Sequence, residues 1–331
     1  MFAKLHDISV NFGEVRALNN VSLDISPNQI HAIVGENGAG KSTLMSVLFG
    51  LNVDYSGQIF VDEIYKNWTS PSDAIKAGIG MVHQHFMLIE SMTVLENIIL
   101  GSEPNKYMGF LDFQFAENKL SDLLKTYNFS IKLNQTVGEL SVGQRQMVEI
   151  LKTLYRSAEL IILDEPTAVL TPAERVDLFT SLQDFKKAGK SIILITHKID
   201  EVITNADHVS VMRSGQLISS LPINNTSRQQ ISDEIVGASK TKSISRKEIK
   251  PGPVKLHLSK LNVLGMPQIG NAFNLEVKAN EIVGIAGVAG NGQAELVEAI
   301  IGLRSSKSGL IEICNTDVTG SDISTRRDAG D

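Results

Sequence analysis

Ile30-His31-Ala32-Ile33-Val34 runs directly into Gly35-Glu36-Asn37-Gly38-Ala39-Gly40-Lys41-Ser42-Thr43, and helical periodicity continues from Lys41 to Phe49. A short, mostly apolar run predicts a buried strand, and the periodic segment after it predicts a helix. The loop between them reads G-x-x-x-x-G-K-[ST]. Its glycines let backbone N–H groups close around phosphate oxygens, and the helix N-terminus adds partial positive charge. Lys41 is placed to reach β- and γ-phosphates, and the Ser42 hydroxyl to coordinate Mg²⁺. Strand, loop and helix in this order predict a phosphate-binding loop spanning Gly35 to Thr43.

Working outward, Leu160-Ile161-Ile162-Leu163-Asp164-Glu165 offers a second apolar strand that ends in two carboxylates. Ligands in open α/β sheets bind at the carboxyl ends of strands. Asp164 is placed to hold Mg²⁺ and Glu165 to orient and deprotonate an attacking water, a role worth ~10²–10⁴-fold in rate. Alone, such a run reads as a plain strand before a loop; the phosphate loop changes the reading. Ser191 to Ile195 and His208 to Met212 read as further strands, and Gln144 to Tyr155 and Pro172 to Lys187 as helices. This alternation predicts an α/β domain over residues 1–237 with a mostly parallel sheet. Residues 88–155 carry helical patterns without a clear strand and read as a helical insertion.

Leu140-Ser141-Val142-Gly143-Gln144 opens the helix leading toward Asp164. Two readings stand side by side. Ser141 is an ordinary N-cap, or the helix start with Ser141, Gly143 and Gln144 is a second anion site able to face another nucleotide.

Composition narrows the class. The 331 residues are 42% hydrophobic and 21% charged, which is ordinary for a globular chain, and the length suggests two domains. Lys and Arg number 31 against 37 Asp and Glu, a formal net charge of −6, so no broadly basic nucleic-acid surface is expected. A single cysteine, Cys314, excludes a disulfide scaffold. Without an apolar run near the ~18–20 residues of a membrane span, and with Lys4 and Asp7 in the opening residues, a cytosolic chain is expected.

Residues 238–253 turn polar and basic, with Lys240, Lys242, Arg246, Lys247 and Lys250 before Pro251-Gly252-Pro253, and read as an interdomain linker. A weak contact with phosphate or an anionic surface is the other reading of those charges. Beyond it the sequence repeats. At an offset of 252, Ile30 meets Ile282, Ile33 meets Ile285, and Gly35, Gly38 and Gly40 meet Gly287, Gly290 and Gly292. Gly50-Leu51 and Ser56-Gly57 meet Gly302-Leu303 and Ser308-Gly309. Residues 254–331 therefore read as the opening of a second, degenerate copy. Asp331 falls on the counterpart of residue 79 (331 − 252), so a complete copy needs about 150 further residues and the chain reads as a fragment or truncated product.

The phosphate loop, Gln84, Leu140 to Gln144, Leu163-Asp164-Glu165-Pro166 and His197 occur in the order and spacing of ABC transporter ATPase domains, and residues 1 to about 237 resemble them throughout. The linked repeat resembles the tandem ATPase subunits of sugar and nucleoside importers. Met81 to Leu88 and Gly287-Val288-Ala289-Gly290-Asn291-Gly292-Gln293 are most similar to the nucleoside (purine) branch. The resemblance implies the P-loop NTPase fold of ABC type, with an antiparallel β part and a helical subdomain, and ATP and Mg²⁺ as cofactors. Phe12 resembles the aromatic that stacks on adenine, although a core Phe on an early strand is the plainer reading. Gln84 resembles the glutamine that touches Mg²⁺ and water and senses the membrane subunits, and His197 the switch histidine on the γ-phosphate. Ser141, Gly143 and Gln144 resemble the signature that meets ATP across a dimer. Ala168-Val169-Leu170-Thr171 lacks the family's usual aspartate at this loop.

The resemblance further implies an importer motor on the cytoplasmic face of the inner membrane, bound to integral permease subunits and, through them, to a substrate-binding protein. A second ATPase domain, in cis or from a homodimer, completes its sites. A soluble ABC ATPase acting on ribosomes or DNA is the rival class, disfavoured by the acidic charge and short linker. A nucleotide-binding fragment without turnover is the third. His83 and His85 make H-x-H without further ligands nearby. Asn67, Asn128, Asn134, Asn224 and Asn225 begin N-x-[ST] triplets without meaning in a cytosolic chain, and Asn105-Lys106-Tyr107-Met108 is half of a guanine motif.

Overall fold

The computed structural model describes residues 2–104, 111–127, 129–237, 250–265, 272–287 and 290–330. Residues 238–249 of the expected linker, Asn128, the Asn105–Met108 half-motif, and Val288 and Ala289 of the second loop lie outside them. The chain divides into two compact units, Met1–Thr241 and Lys242–Asp331.

In the first unit, strands β3 (Ile30–Val34), β6 (Ile79–Val82), β7 (Leu160–Asp164), β8 (Ser191–Ile195) and β9 (His208–Arg213) run parallel, with β10 (Gln216–Pro222) antiparallel on the edge. The order is β10-β9-β3-β8-β7-β6. Every residue of β3, β6, β7 and β8 is buried, which explains why these strands read as continuous apolar runs. Period-two alternation then sorts their side chains. Ile33, Ile162, Ile193 and Ile195 join one core, whereas Val34, Ile161, Leu163, Ile192 and Leu194 join the other. Each fully buried Leu or Ile contributes about 1.5–3 kcal/mol.

The first core is closed by α1 (Lys41–Leu48) and by an antiparallel sheet, β2-β1-β4-β5, made of β1 (Ala3–Phe12), β2 (Val15–Ile25), β4 (Ser56–Val61) and β5 (Ile64–Lys66). The second lies under α6 (Pro172–Lys187), α7 (Ile199–Asn205) and α8 (Arg228–Val236). Helix α2 (Pro71–Lys76) precedes β6.

The helical region holds α3 (Val94–Ile99), α4 (Phe113–Thr126) and α5 (Val142–Tyr155) around a core of its own, with Val94, Ile98, Leu120, Val137 and Leu151 at its centre. Its far edge is not a clean boundary at 155. Helix α5 sends Ile150 and Leu154 into the sheet's core and Val148, Leu151 and Tyr155 into the helical one. A helix apolar on two faces must satisfy both.

The second unit contains β11 (Val254–Val263), β12 (Phe273–Lys278), α9 (Gln293–Ile301), β13 (Ser306–Ile313), β14 (Thr316–Asp317) and α10 (Ile323–Asp328), with sheet order β12-β11-β13-β14. That order matches β2-β1-β4-β5, element for element at the offset of 252. One segment departs. The counterpart of β3, residues 281–287, forms no strand, and Ile282 is 100% exposed. Strand β3 is held between β8 and β9, whereas among the described residues 281–287 have no strand beside them. An apolar run without a neighbour to bond has no ladder to join.

Candidate functional site

The phosphate loop leaves the carboxyl end of β3 and enters α1 through Gly40, which stands at φ 97° and ψ 2°. A Cβ there would also come 2.8 Å from the Ala17 carbonyl, so only glycine serves at this position. Lys41 is buried, and its Nζ donates to the carbonyls of Gly35 and Glu36, both at 2.9 Å. Two carbonyl oxygens thus hold the ammonium over the loop, where phosphate oxygens are its natural competitors. Burial lowers the Lys41 pKa, opposed by the charges of Glu165 and Asp164.

Asp164 ends β7, buried, and accepts a hydrogen bond from the Ser42 side chain. Burial raises its pKa; the Ser42 bond lowers it, and the neighbouring Glu165 raises it again. A hydroxyl and a buried carboxylate side by side form a hard-oxygen donor set, which suits Mg²⁺. The next residue, Glu165, sits at φ 47°, a left-handed backbone that costs a non-glycine residue roughly 1–2 kcal/mol. Its N–H donates to the Ile195 carbonyl at 3.0 Å, which fixes the turn against β8. Glu165 Oε1 lies 3.0 Å from His197 Nδ1. His197 follows β8, and its loop is anchored by Lys198, whose Nζ donates to the Thr167 carbonyl and hydroxyl, both at 3.0 Å. Buried Glu201 accepts from Thr167 at 2.9 Å and from Thr196 at 3.4 Å. The loops after β7 and β8 are therefore bolted together behind the carboxylate and the histidine.

One cavity of about 590 Å³ gathers Phe12, Asn37, Gly38, Ala39, Gly40, Lys41, Ser42, Thr43, Gln84, Asp164 and Glu165. Phe12 is 57% exposed at the end of β1 and faces this cavity, so it is not a core residue. Gly35 and Glu36 contribute through their carbonyls beneath Lys41. The cavity also includes Arg16, Ser214 and Gly215, which sequence reasoning missed. Ser214-Gly215 forms the β9–β10 turn; Gly215 N–H bonds the Ala39 carbonyl at 3.1 Å and its carbonyl receives Asn19 N–H at 2.8 Å. Only the turn composition hinted at it.

Ser141, Gly143 and Gln144 do not line this cavity. Ser141 caps α5 in a reciprocal capping box with Gln144. Its hydroxyl also donates to Glu174 Oε1 at 3.1 Å, and the Gly143 N–H donates to the same oxygen at 3.0 Å. A Cβ on Gly143 would come 2.6 Å from that oxygen, so a larger residue here would displace the Glu174 carboxylate. The other oxygen, Oε2, accepts from the Thr171 N–H at 3.0 Å and its hydroxyl at 2.9 Å, capping α6. The Thr171 N–H, together with the Thr171 hydroxyl, Gly143 and Ser141, holds the Glu174 carboxyl below the usual range.

Residues 18–168 match the family model described as ABC transporter. The chain is 45% identical over 316 residues to the nucleoside import ATP-binding protein NupA of Lactococcus lactis subsp. cremoris, covering 95% of this chain and 62% of that protein. It is 44% identical to the guanosine import ATP-binding protein NupO of Bacillus subtilis, covering 91% and 59%, and 40% identical to the glucose import ATP-binding protein TsgD13 of Haloferax volcanii, covering 99% and 65%. The chain thus spans about three fifths of the length of the curated relatives it matches. Among solved structures, a nucleotide-free ATP-binding cassette from an ABC transporter aligns with TM-score 0.62 and 27% identity, over 71% of this chain and 95% of that one. Through the fold of its first unit and these matches, the chain carries an ABC transporter domain, an ATP-binding cassette.

Proposed function

We propose that this chain is the ATP-hydrolysing part of an ABC importer that takes up a nucleoside or a simple sugar. One observation carries the reading: Lys41, Ser42, Asp164 and Glu165 share one cavity, and Glu165 is hydrogen-bonded to His197 at 3.0 Å. Lys41 and the N–H groups of Gly38 to Thr43 bind the phosphates, and Phe12 offers its exposed ring to the base. Ser42 and Asp164, with Gln84 beside them, would hold Mg²⁺, which neutralises charge on the β- and γ-phosphate oxygens. Glu165 accepts a proton from the water that attacks the γ-phosphorus while the bond to the ADP oxygen breaks. His197 orients that carboxylate and faces the γ-phosphate. Positioning and charge stabilisation dominate phosphoryl transfer, so two loops bolted through Glu201 suit the task.

Relatives named for nucleoside import support the nucleoside branch, and sugar importers come next. Among the described residues no helix is long and apolar enough to cross a membrane, in keeping with a peripheral subunit on the cytoplasmic face, bound to permease subunits. A groove of about 250 Å³ between sheet and helical region, with Leu51, Ile75, Met87 and Lys152 on its walls, suits such a partner. Residues 254–331 are the opening of a degenerate second cassette, joined by a linker at 238–253. There Gln293 stands where Lys41 stands in the first, and Ala294 where Ser42 stands. That loop lacks the phosphate cation and the metal hydroxyl, so it hydrolyses poorly. The test is Glu165→Gln, which keeps shape and hydrogen bonding. ATP binding should survive while turnover falls at least ~100-fold; near-normal turnover would remove Glu165 from the role of base.

A further inference from the structure

Helix α5 presents an N-terminus whose Ser141 hydroxyl and Gly143 N–H converge on one point, and a carboxylate oxygen of Glu174 already stands there, at 3.1 and 3.0 Å. Two donors aimed at one anionic oxygen are the arrangement a terminal phosphate oxygen would need. Glu174 reaches them from the third residue of α6, and its second oxygen caps that helix through Thr171. One side chain therefore joins the start of α6 to the start of α5.

We propose that Glu174 is a built-in stand-in for phosphate, which occupies the Ser141–Gly143 donors of the free cassette and must withdraw before they can engage a nucleotide held by another domain. The inference rests on the ATPase reading above. It assigns Glu174 a gating part that its capping role alone does not require: the cap uses Oε2, and the signature contact uses Oε1. A Cβ at Gly143 would come 2.6 Å from this carboxylate oxygen, so the glycine lets the plug lie directly against the helix start. Thr171 follows Ala168-Val169-Leu170, so any partner that grips this loop also pulls on the helix start carrying the plug.

Glu174→Gln separates the two jobs. Glutamine supports a capping box, so its oxygen keeps the Thr171 bond. Its NH₂ group then faces the Gly143 N–H, a donor against a donor, and the Ser141 hydroxyl loses its anionic acceptor. The full 331-residue chain is followed by sedimentation velocity with MgATP across a range of chain concentrations. Parallel measurements give hydrolysis per chain, and ATP affinity by titration at low chain concentration. Glu174→Gln should self-associate at about tenfold lower concentration than the unaltered chain, with hydrolysis per chain rising in step and ATP affinity of the dilute protein unchanged. Glu174→Ala, which empties the position, should shift association in the same direction, and Trp68 fluorescence on heating checks that both variants fold. An unchanged or higher association midpoint in the two folded variants overturns the proposal, and so does the absence of ATP-driven association in every form. Loss of ATP binding in every form, the unaltered chain included, would strike the ATPase reading itself.

Discussion

His31 lies at the middle of β3, fully buried, with Nε2 2.8 Å from the Ser210 hydroxyl and Nδ1 without a partner among the described residues. The His208 ring stands 4.7 Å away. Burial, and then the charge of His208, push the His31 pKa down from 6.5 to about 3. A base whose folded pKa is lowered takes up its proton more readily in the unfolded chain. Its contribution is therefore intact above pH 6.5 and is lost as the pH falls from 6.5 toward 3. Linkage between those two values gives a loss of about 2 kcal/mol at pH 5 and about 3 kcal/mol at pH 4, relative to neutral pH. His31→Gln keeps a hydrogen-bonding group toward Ser210 and removes the titration. Trp68 is the only tryptophan and is buried in the first unit's core, so urea unfolding followed by its fluorescence reports on that unit alone. Between pH 8 and pH 5 the unaltered chain should lose about 2 kcal/mol more than the variant. Equal losses would refute the assignment of the acid sensitivity to this buried imidazole.

Three further outcomes are expected. Lys41→Ala should weaken ATP binding by about 1.5–3 kcal/mol, read by calorimetric titration, because a charge-assisted contact to phosphate disappears. Hydrolysis by the unaltered chain should be slow when dilute and should climb steeply per chain with concentration if two first units supply Ser141 and Gly143 to each other; a high rate independent of concentration would contradict a composite site. Phe185 is fully buried, edge-on to Tyr127 at 4.8 Å, so Phe185→Ala should cost the first unit about 3–5 kcal/mol in urea unfolding.

The residues of the parallel sheet announced themselves because strands buried on both faces read as unbroken apolar runs. The phosphate loop and the Asp164-Glu165 pair were legible for the same reason, being fastened to the ends of such runs. Helix α6 was legible to the residue, since Thr171, Pro172 and Glu174 mark its start. The antiparallel sheet was not readable strand by strand. Strand β1 pairs irregularly, and Asp7 and Asn20 take positive φ where its pairing with β2 slips, so alternation breaks before it can be recognised. The Glu174 contact joins residues 31 positions apart, and no periodicity links them. Residues 281–287 show the opposite failure. Their pattern is that of a buried strand, yet a pattern states only what a segment could bury, and its neighbours decide whether it does.

Helix α5 is rooted in two cores, with the signature residues at its N-terminal end. Its 14 residues make a rod about 21 Å long. Rocking that rod by about 10° around Tyr155 would carry Ser141 through roughly 4 Å, more than the length of a hydrogen bond. The end near the sheet would hardly stir. In mechanical terms the helix is a lever with a short arm in the sheet and a long arm at the signature. A swing of the helical region that carried α5 with it would be large enough to bring Ser141 and Gly143 to a phosphate, or to take them away from one, once Glu174 lets go of them.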